Sequence, residues 1–114
     1  MKKLIVSSVL AFITFSAQAA AFQVTSNEIK TGEQLTTSHV FSGFGCEGGN
    51  TSPSLTWSGA PEGTKSFAVT VYDPDAPTGS GWWHWTVANI PATVPYLPAH
   101  AGRRDGPKLP TGAV

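Results

Sequence analysis

Residues Thr70 to Asn89 read TVYDPDAPTGSGWWHWTVAN. A run rich in β-branched and aromatic residues ends in two carboxylates and two prolines, turns through glycines, and resumes as a second run that carries His84 among three tryptophans. Upstream, Ser66 to Tyr72 is predicted as a strand with Phe67, Val69 and Val71 on one face and Ala68, Thr70 and Tyr72 on the other, so both faces are expected to be covered. The returning strand is predicted over His84 to Ile90. Between them, Pro74 and Pro77 each remove an amide donor and fix φ, which stiffens the loop. Gly79-Ser80-Gly81 then lets the chain reverse.

Further out, short strands and turns are expected throughout. Phe22 to Thr25 alternates apolar and polar residues and reads as the first strand, and Ser26 to Leu35 as a turn or loop. Ser38 to Phe41 reads as a short edge strand, with His39 an exposed strand residue. Asn50 to Pro53 reads as a turn, Ser54 to Ser58 as a strand, and Gly59 to Thr64 as another turn. Beyond Pro91 the prolines recur too often for a central strand, leaving loop or extended chain in which His100, Arg103, Arg104 and Asp105 are solvated.

Composition agrees with this picture. The chain has 114 residues, of which 12 are glycine and 9 proline, and helical repeats of Ala, Leu, Glu and Lys are absent after the N-terminal segment. The class is therefore all-β. Lys2 and Lys3, the apolar run Leu4 to Phe15 and the triplet Ala17-Gln18-Ala19 read as a bacterial secretory signal peptide over residues 1–19, with cleavage as late as Ala21 also allowed. A bilayer span needs ~20 apolar residues, more than this run offers, so no stable span is expected after cleavage, and the periplasm is the expected destination. Roughly 95 residues then remain, enough for one small domain over 22–114. Formal net charge is zero and the seven basic residues are scattered along the sequence, which argues against nucleic acid as a partner.

Cys46 is the only cysteine, so the chain holds no disulfide partner for it. It is read either as a buried free thiol or as half of a disulfide completed elsewhere. The loop setting Phe44 to Gly49 is unlike a core strand.

The chemistry lies in Asp73, Asp75 and His84. A carboxylate beside an imidazole in an apolar hollow can bind a ligand, hold a metal or move protons. A metal normally takes three or four protein ligands, or several oxygens for calcium, and two carboxylates with one imidazole fall short of such a set. Paired-carboxylate hydrolysis needs an acid and a base at a defined separation, whereas aspartates at i and i+2 diverge on extended chain. A structural use also stands, with Asp73 or Asp75 bonding turn amides and His84 satisfied in the core.

DPDAP at the end of an apolar strand, followed by WWHW and a V-A-N strand end, resembles the phosphatidylethanolamine-binding protein (PEBP) family. NTSPSLTW at Asn50 to Trp57 and the F-x-V-T-V-Y-D run from Phe67 to Asp73 belong to the same resemblance. It is to the bacterial YbhB/YbcL branch, also described as Raf kinase inhibitor-like, and within that branch to the exported type. The resemblance implies a large antiparallel sheet packed on a smaller one, with a small pocket for phosphate-type anions at one end. It implies that Asp73 and His84 line that pocket, supported by Asp75, Pro74, Trp83 and the segment around Ser52-Pro53. The family's later glycine- and proline-rich loop and its G-x-H-R-Y strand, with a second pocket histidine, are absent from this sequence. The resemblance therefore covers roughly the N-terminal two-thirds of a domain, a truncation that implies a lost partner for Cys46 and open strand edges. Low stability as a lone monomer is expected.

The reading is an exported, non-enzymatic protein that binds a small anionic or zwitterionic ligand, phosphate or a phosphoethanolamine headgroup, without cofactor or metal. The alternatives are an inhibitor of a hydrolase or protease acting through the rigid DPDAP loop, or a truncated remnant without function.

Overall fold

The computed structural model describes residues 20–114, so the expected signal peptide lies outside the described residues. In chain order the strands are β1 (Gln23–Thr25), β2 (Ser42–Gly43), β3 (Cys46–Glu47), β4 (Leu55–Ser58), β5 (Ser66–Asp73), β6 (Trp82–Pro91) and β7 (Tyr96–Leu97), with a 3₁₀ turn at Thr37–His39. All pairings are antiparallel. β1, β4 and β7 form a three-stranded sheet with β4 in the middle, and β2–β3 and β5–β6 are hairpins.

Alternation sets which face of each strand turns inward. Along β5, Phe67, Val69, Val71 and Asp73 are half-buried while Ala68, Thr70 and Tyr72 are exposed. Among the described residues only one face is covered, contrary to the expectation for this strand, because β6 is its one partner there and the outer side is exposed. The inward face meets the three-stranded sheet through aromatic rings: Phe67 lies 5.3 Å from Trp57 of β4 and 6.0 Å from Phe22, which precedes β1. Trp57, Val87, Ile90, Leu97 and Ala101 are the buried core, flanked by Leu55, Val69, Trp85 and Leu109 among others. Burying Val87, Ile90 and Leu97 stabilises by about 1.5–3 kcal/mol for each side chain. The indole N–H of Trp57 is buried there without a hydrogen-bond partner, which offsets part of that gain.

β1 is tied to the start of β4 by a carboxylate. Glu28 accepts hydrogen bonds from the Ser54 hydroxyl (2.6 Å), the Ser54 amide (3.0 Å) and the Ser26 hydroxyl (3.1 Å). These bonds, the Ser54 hydroxyl foremost, hold its carboxyl below the ordinary glutamate range.

Four local expectations are corrected. Ser38 to Phe41 is not a strand: Thr37–His39 winds into a 3₁₀ turn, with the Val40 amide donating to the Thr37 carbonyl. The carbonyls of Thr37, Ser38, Val40 and Phe41 accept instead from the amides of Gly49, Thr51, Asn50 and Gly48. A Cβ on Gly48 would overlap the Val40 carbonyl, so this close approach requires glycine. His39 is half-buried rather than exposed, its Nδ1 lying 2.7 Å from the Thr51 carbonyl oxygen. For the same reason Asn50 to Pro53 does not fold back on itself, and it runs alongside the 3₁₀ turn. Cys46 is exposed in β3, so the buried-thiol reading fails. The hairpin β2–β3 turns through Phe44-Gly45, outside the core.

Beyond Pro91 the chain stays irregular except at β7, whose two residues join the edge of the three-stranded sheet. An edge needs hydrogen bonds on one side only, which suits a proline-flanked strand.

Candidate functional site

The pairing of β5 with β6 is interrupted where the chemistry lies. Val71 faces Trp85 and Tyr72 faces Trp83, which leaves His84 as an extra residue in a β-bulge. Strict alternation would put His84 on the face opposite Trp85; the bulge re-aims it toward the face of Val71 and Asp73. His84 Nε2 then stands 3.6 Å from Asp73 Oδ2, with the side chains 48% and 43% exposed. At that distance the contact is a charge pairing, available when the ring is protonated, and not a short hydrogen bond.

Asp73 closes β5 and begins the DPDAP loop. Its Oδ1 accepts a 2.9 Å hydrogen bond from the Asp75 amide across Pro74, so one oxygen braces the loop while the other faces His84. One carboxylate oxygen of Asp73 thus serves the turn, as the structural reading expects, and the other lies beside His84. Thr78 donates its hydroxyl to the Gly81 carbonyl (2.6 Å), and the Tyr72 hydroxyl donates to the Ser80 carbonyl (2.7 Å). Gly81, at φ +72°, runs so close to Tyr72 that a Cβ would overlap the phenol oxygen. The turn is therefore built by its own backbone and by one tyrosine from β5.

The tryptophans do not form the expected apolar hollow around His84. Trp83 packs on Tyr72, ring centroids 4.6 Å apart, and Trp82 and Trp83 are 56% and 60% exposed. Trp85 alone turns into the core region. Asp75 and Pro74 are exposed in the loop. The structure thus brings Asp73 and His84 together, ties Asp75 to Asp73 through its backbone, and sets Trp83 against Tyr72. Among the described residues no three His, Cys, Asp or Glu side chains converge as a metal site.

Ser52 bonds the loop that follows β7. Its carbonyl accepts from the His100 amide (3.0 Å) and its hydroxyl oxygen from the Gly102 amide (2.9 Å). These bonds draw the loop after β7 over Trp85, where a Cβ on Gly102 would lie 3.2 Å from the indole. The Ser52–Gly102 bond joins residues 50 positions apart, and no local pattern in the sequence signals it. Arg103 grips Asp105 through two hydrogen bonds, Nε to Oδ1 at 3.0 Å and Nη2 to Oδ2 at 3.1 Å.

Known proteins were compared with this chain. The family described as phosphatidylethanolamine-binding protein matches residues 25–114. YbcL of Escherichia coli (strain K12) is 93% identical over 114 residues, covering 100% of this chain and 62% of YbcL. YbhB of the same organism is 57% identical over 77 residues, 68% of this chain and 49% of YbhB. A relative from Aquifex aeolicus (strain VF5) is 38% identical over 104 residues, 91% of this chain and 54% of the relative. The crystal structure of E. coli YbcL, reported as a new member of the mammalian PEBP family, matches with a TM-score of 0.79 at 93% identity, covering 83% of this chain and 58% of that one. The chain spans 62% of the length of YbcL. With the all-β antiparallel fold, the DPDAP loop and the residues matched, this chain belongs to the phosphatidylethanolamine-binding protein family.

Proposed function

We propose that this chain is an exported, non-enzymatic binding protein that takes a small phosphate-bearing ligand, inorganic phosphate or a phosphoethanolamine headgroup, at the turn end of the β5–β6 hairpin. The observation that carries the reading is the bulge at His84, which sets an imidazole beside the free oxygen of Asp73 on a braced loop. A protonated His84 supplies a charge-assisted hydrogen bond to a phosphate oxygen, and Asp73 accepts from an ammonium or orients the ring. Asp75, Pro74 and Trp83 hold the surroundings. A carboxylate alone would repel a phosphate, so the ligand is a zwitterion or the histidine is charged. Export to the periplasm rests on the N-terminal lysines, apolar run and Ala-Gln-Ala triplet.

Catalysis is not part of the proposal, since a nucleophile with an adjacent base is what it would require. Ser80, the serine nearest the loop, sits between glycines in the turn, and its carbonyl serves Tyr72.

The test is a nuclear magnetic resonance titration of the chain with phosphoethanolamine at several pH values. Amide shifts at Asp75 and His84 are expected, with affinity falling as pH rises and His84 loses its proton. An affinity flat from acid to mildly basic pH, or shifts absent from both residues, overturns the reading.

A further inference from the structure

The loop from Ala101 to Leu109 and Trp85 line an open, shallow groove of about 500 Å³. Its floor is apolar: Ala101 is buried, and Trp85 and Leu109 are half-buried against the core. Its rim carries Arg103, Arg104 and Lys108. The formal charge of the whole chain is zero, yet this loop sets those three cations against the single carboxylate of Asp105.

That carboxylate is already taken by Arg103 in a two-pronged pair. Among the described residues, Arg104 and Lys108 take part in none of the ion pairs, so both charges remain available to a ligand. The loop is also held in place. Ser52 anchors the backbone at His100 and Gly102, and further turns run from Arg103 to the His100 carbonyl and from Gly106 to the Arg103 carbonyl. At Gly106 a Cβ would overlap the His100 carbonyl, so the close approach of the loop to His100 depends on glycine.

We propose that this groove is a second anion site, separate from the Asp73–His84 pair, and that it takes a small phosphate ester carrying an apolar or aromatic group. The phosphate takes charge-assisted hydrogen bonds from Arg104 and Lys108, neither of which is paired with a carboxylate among the described residues. The organic group lies on Trp85 and Leu109, where an aromatic ring stacks on the indole and loses its contact with water. The positive field of the loop draws the ligand to this side of the molecule.

Phenyl phosphate is the probe, titrated into the full chain with amide shifts and tryptophan fluorescence as readouts, beside inorganic phosphate. Expected are shifts at Gly102, Gly106 and Lys108, tighter binding of phenyl phosphate than of inorganic phosphate, and weakening as salt is raised. Arg104 and Lys108 are exposed, so the double variant R104Q/K108Q should keep the fold and lose affinity about tenfold. Lys65→Gln, an exposed charge outside the groove, should leave affinity unchanged. The proposal is overturned if shifts gather at Asp75 and His84 instead, if R104Q/K108Q binds no worse than Lys65→Gln, or if both phosphates bind equally. The salt series on the unaltered chain tests the same point without a variant: affinity independent of salt overturns it.

Discussion

The β5–β6 hairpin end and the loop after β7 both rest on the same core, but they are shaped by opposite means. The hairpin end is local: Asp73 bonds the amide of Asp75, Thr78 bonds Gly81, and Tyr72 reaches only to Ser80. The loop is shaped from a distance, by a serine that precedes it by 50 residues and by the face of Trp85. A locally built site survives small shifts of the rest of the domain, because its partners move with it. A site built from remote partners depends on the domain being assembled.

That contrast can be broken at its base. Ile90 is fully buried in the core, and Ile90→Ala should cost about 2–5 kcal/mol through lost contacts and a cavity. Urea unfolding should show it, with signals from Asp75 and from Gly102 lost together. If one region outlasted the other, the shared core would not be shared.

Gly81→Ala should separate them. The substitution places a side chain at φ +72° against the Tyr72 phenol, and left-handed strain alone costs about 1–2 kcal/mol. Amide shifts should concentrate between Asp73 and His84 and leave Gly102 and Gly106 in place. Spreading of the shifts into the loop would refute the independence of the two regions.

Ser52→Ala is the converse. It removes the acceptor for the Gly102 amide, with a loss of about 1 kcal/mol. Hydrogen exchange should speed up at Gly102 while the hairpin amides keep their rates. Equal acceleration in both places would show that Ser52 acts on the domain as a whole.

Acid gives the smallest effect, and it too should fall on the loop. The hydrogen bond from Arg103 holds the Asp105 carboxyl below the ordinary aspartate range. A folded value below the unfolded one means that its contribution is full above the unfolded value and is lost as pH falls through the folded value. Protection of the Gly106 amide, relative to intrinsic exchange at each pH, should therefore fall on acidification through that range, and Asp105→Asn should abolish the fall. Persistence of the fall in the variant would assign it to another group.

The readable parts of the sequence were those governed by alternation and by turn chemistry. β1, β4, β5 and β6 follow apolar periodicity or β-branched content, and the DPDAP and Gly-Ser-Gly segments end strands because proline lacks a donor and glycine permits a reversal. Asp73 and His84 were legible as chemistry for the same reason, standing where one strand gives out and the other begins. The bulge was not legible. One extra residue leaves the apolar pattern of WWHWTV intact, and only the register against β5 shows which residue has no partner. His39 was misplaced because Thr37, Ser38, Val40 and Phe41 satisfy their carbonyls from Gly48 to Thr51, a pairing across a loop that β propensity cannot express.

By itself the sequence determined an all-β chain with a stiff, acid-bearing loop between two strands, because strand periodicity and proline geometry act over a few neighbouring residues. Tertiary structure alone decided that His84 turns toward Asp73, that the outer face of β5 is left uncovered among the described residues, and that the basic stretch Arg103 to Lys108 lies beside Trp85. Each of those outcomes depends on which distant segment supplies a backbone partner, and such pairing is settled only when the chain closes on itself.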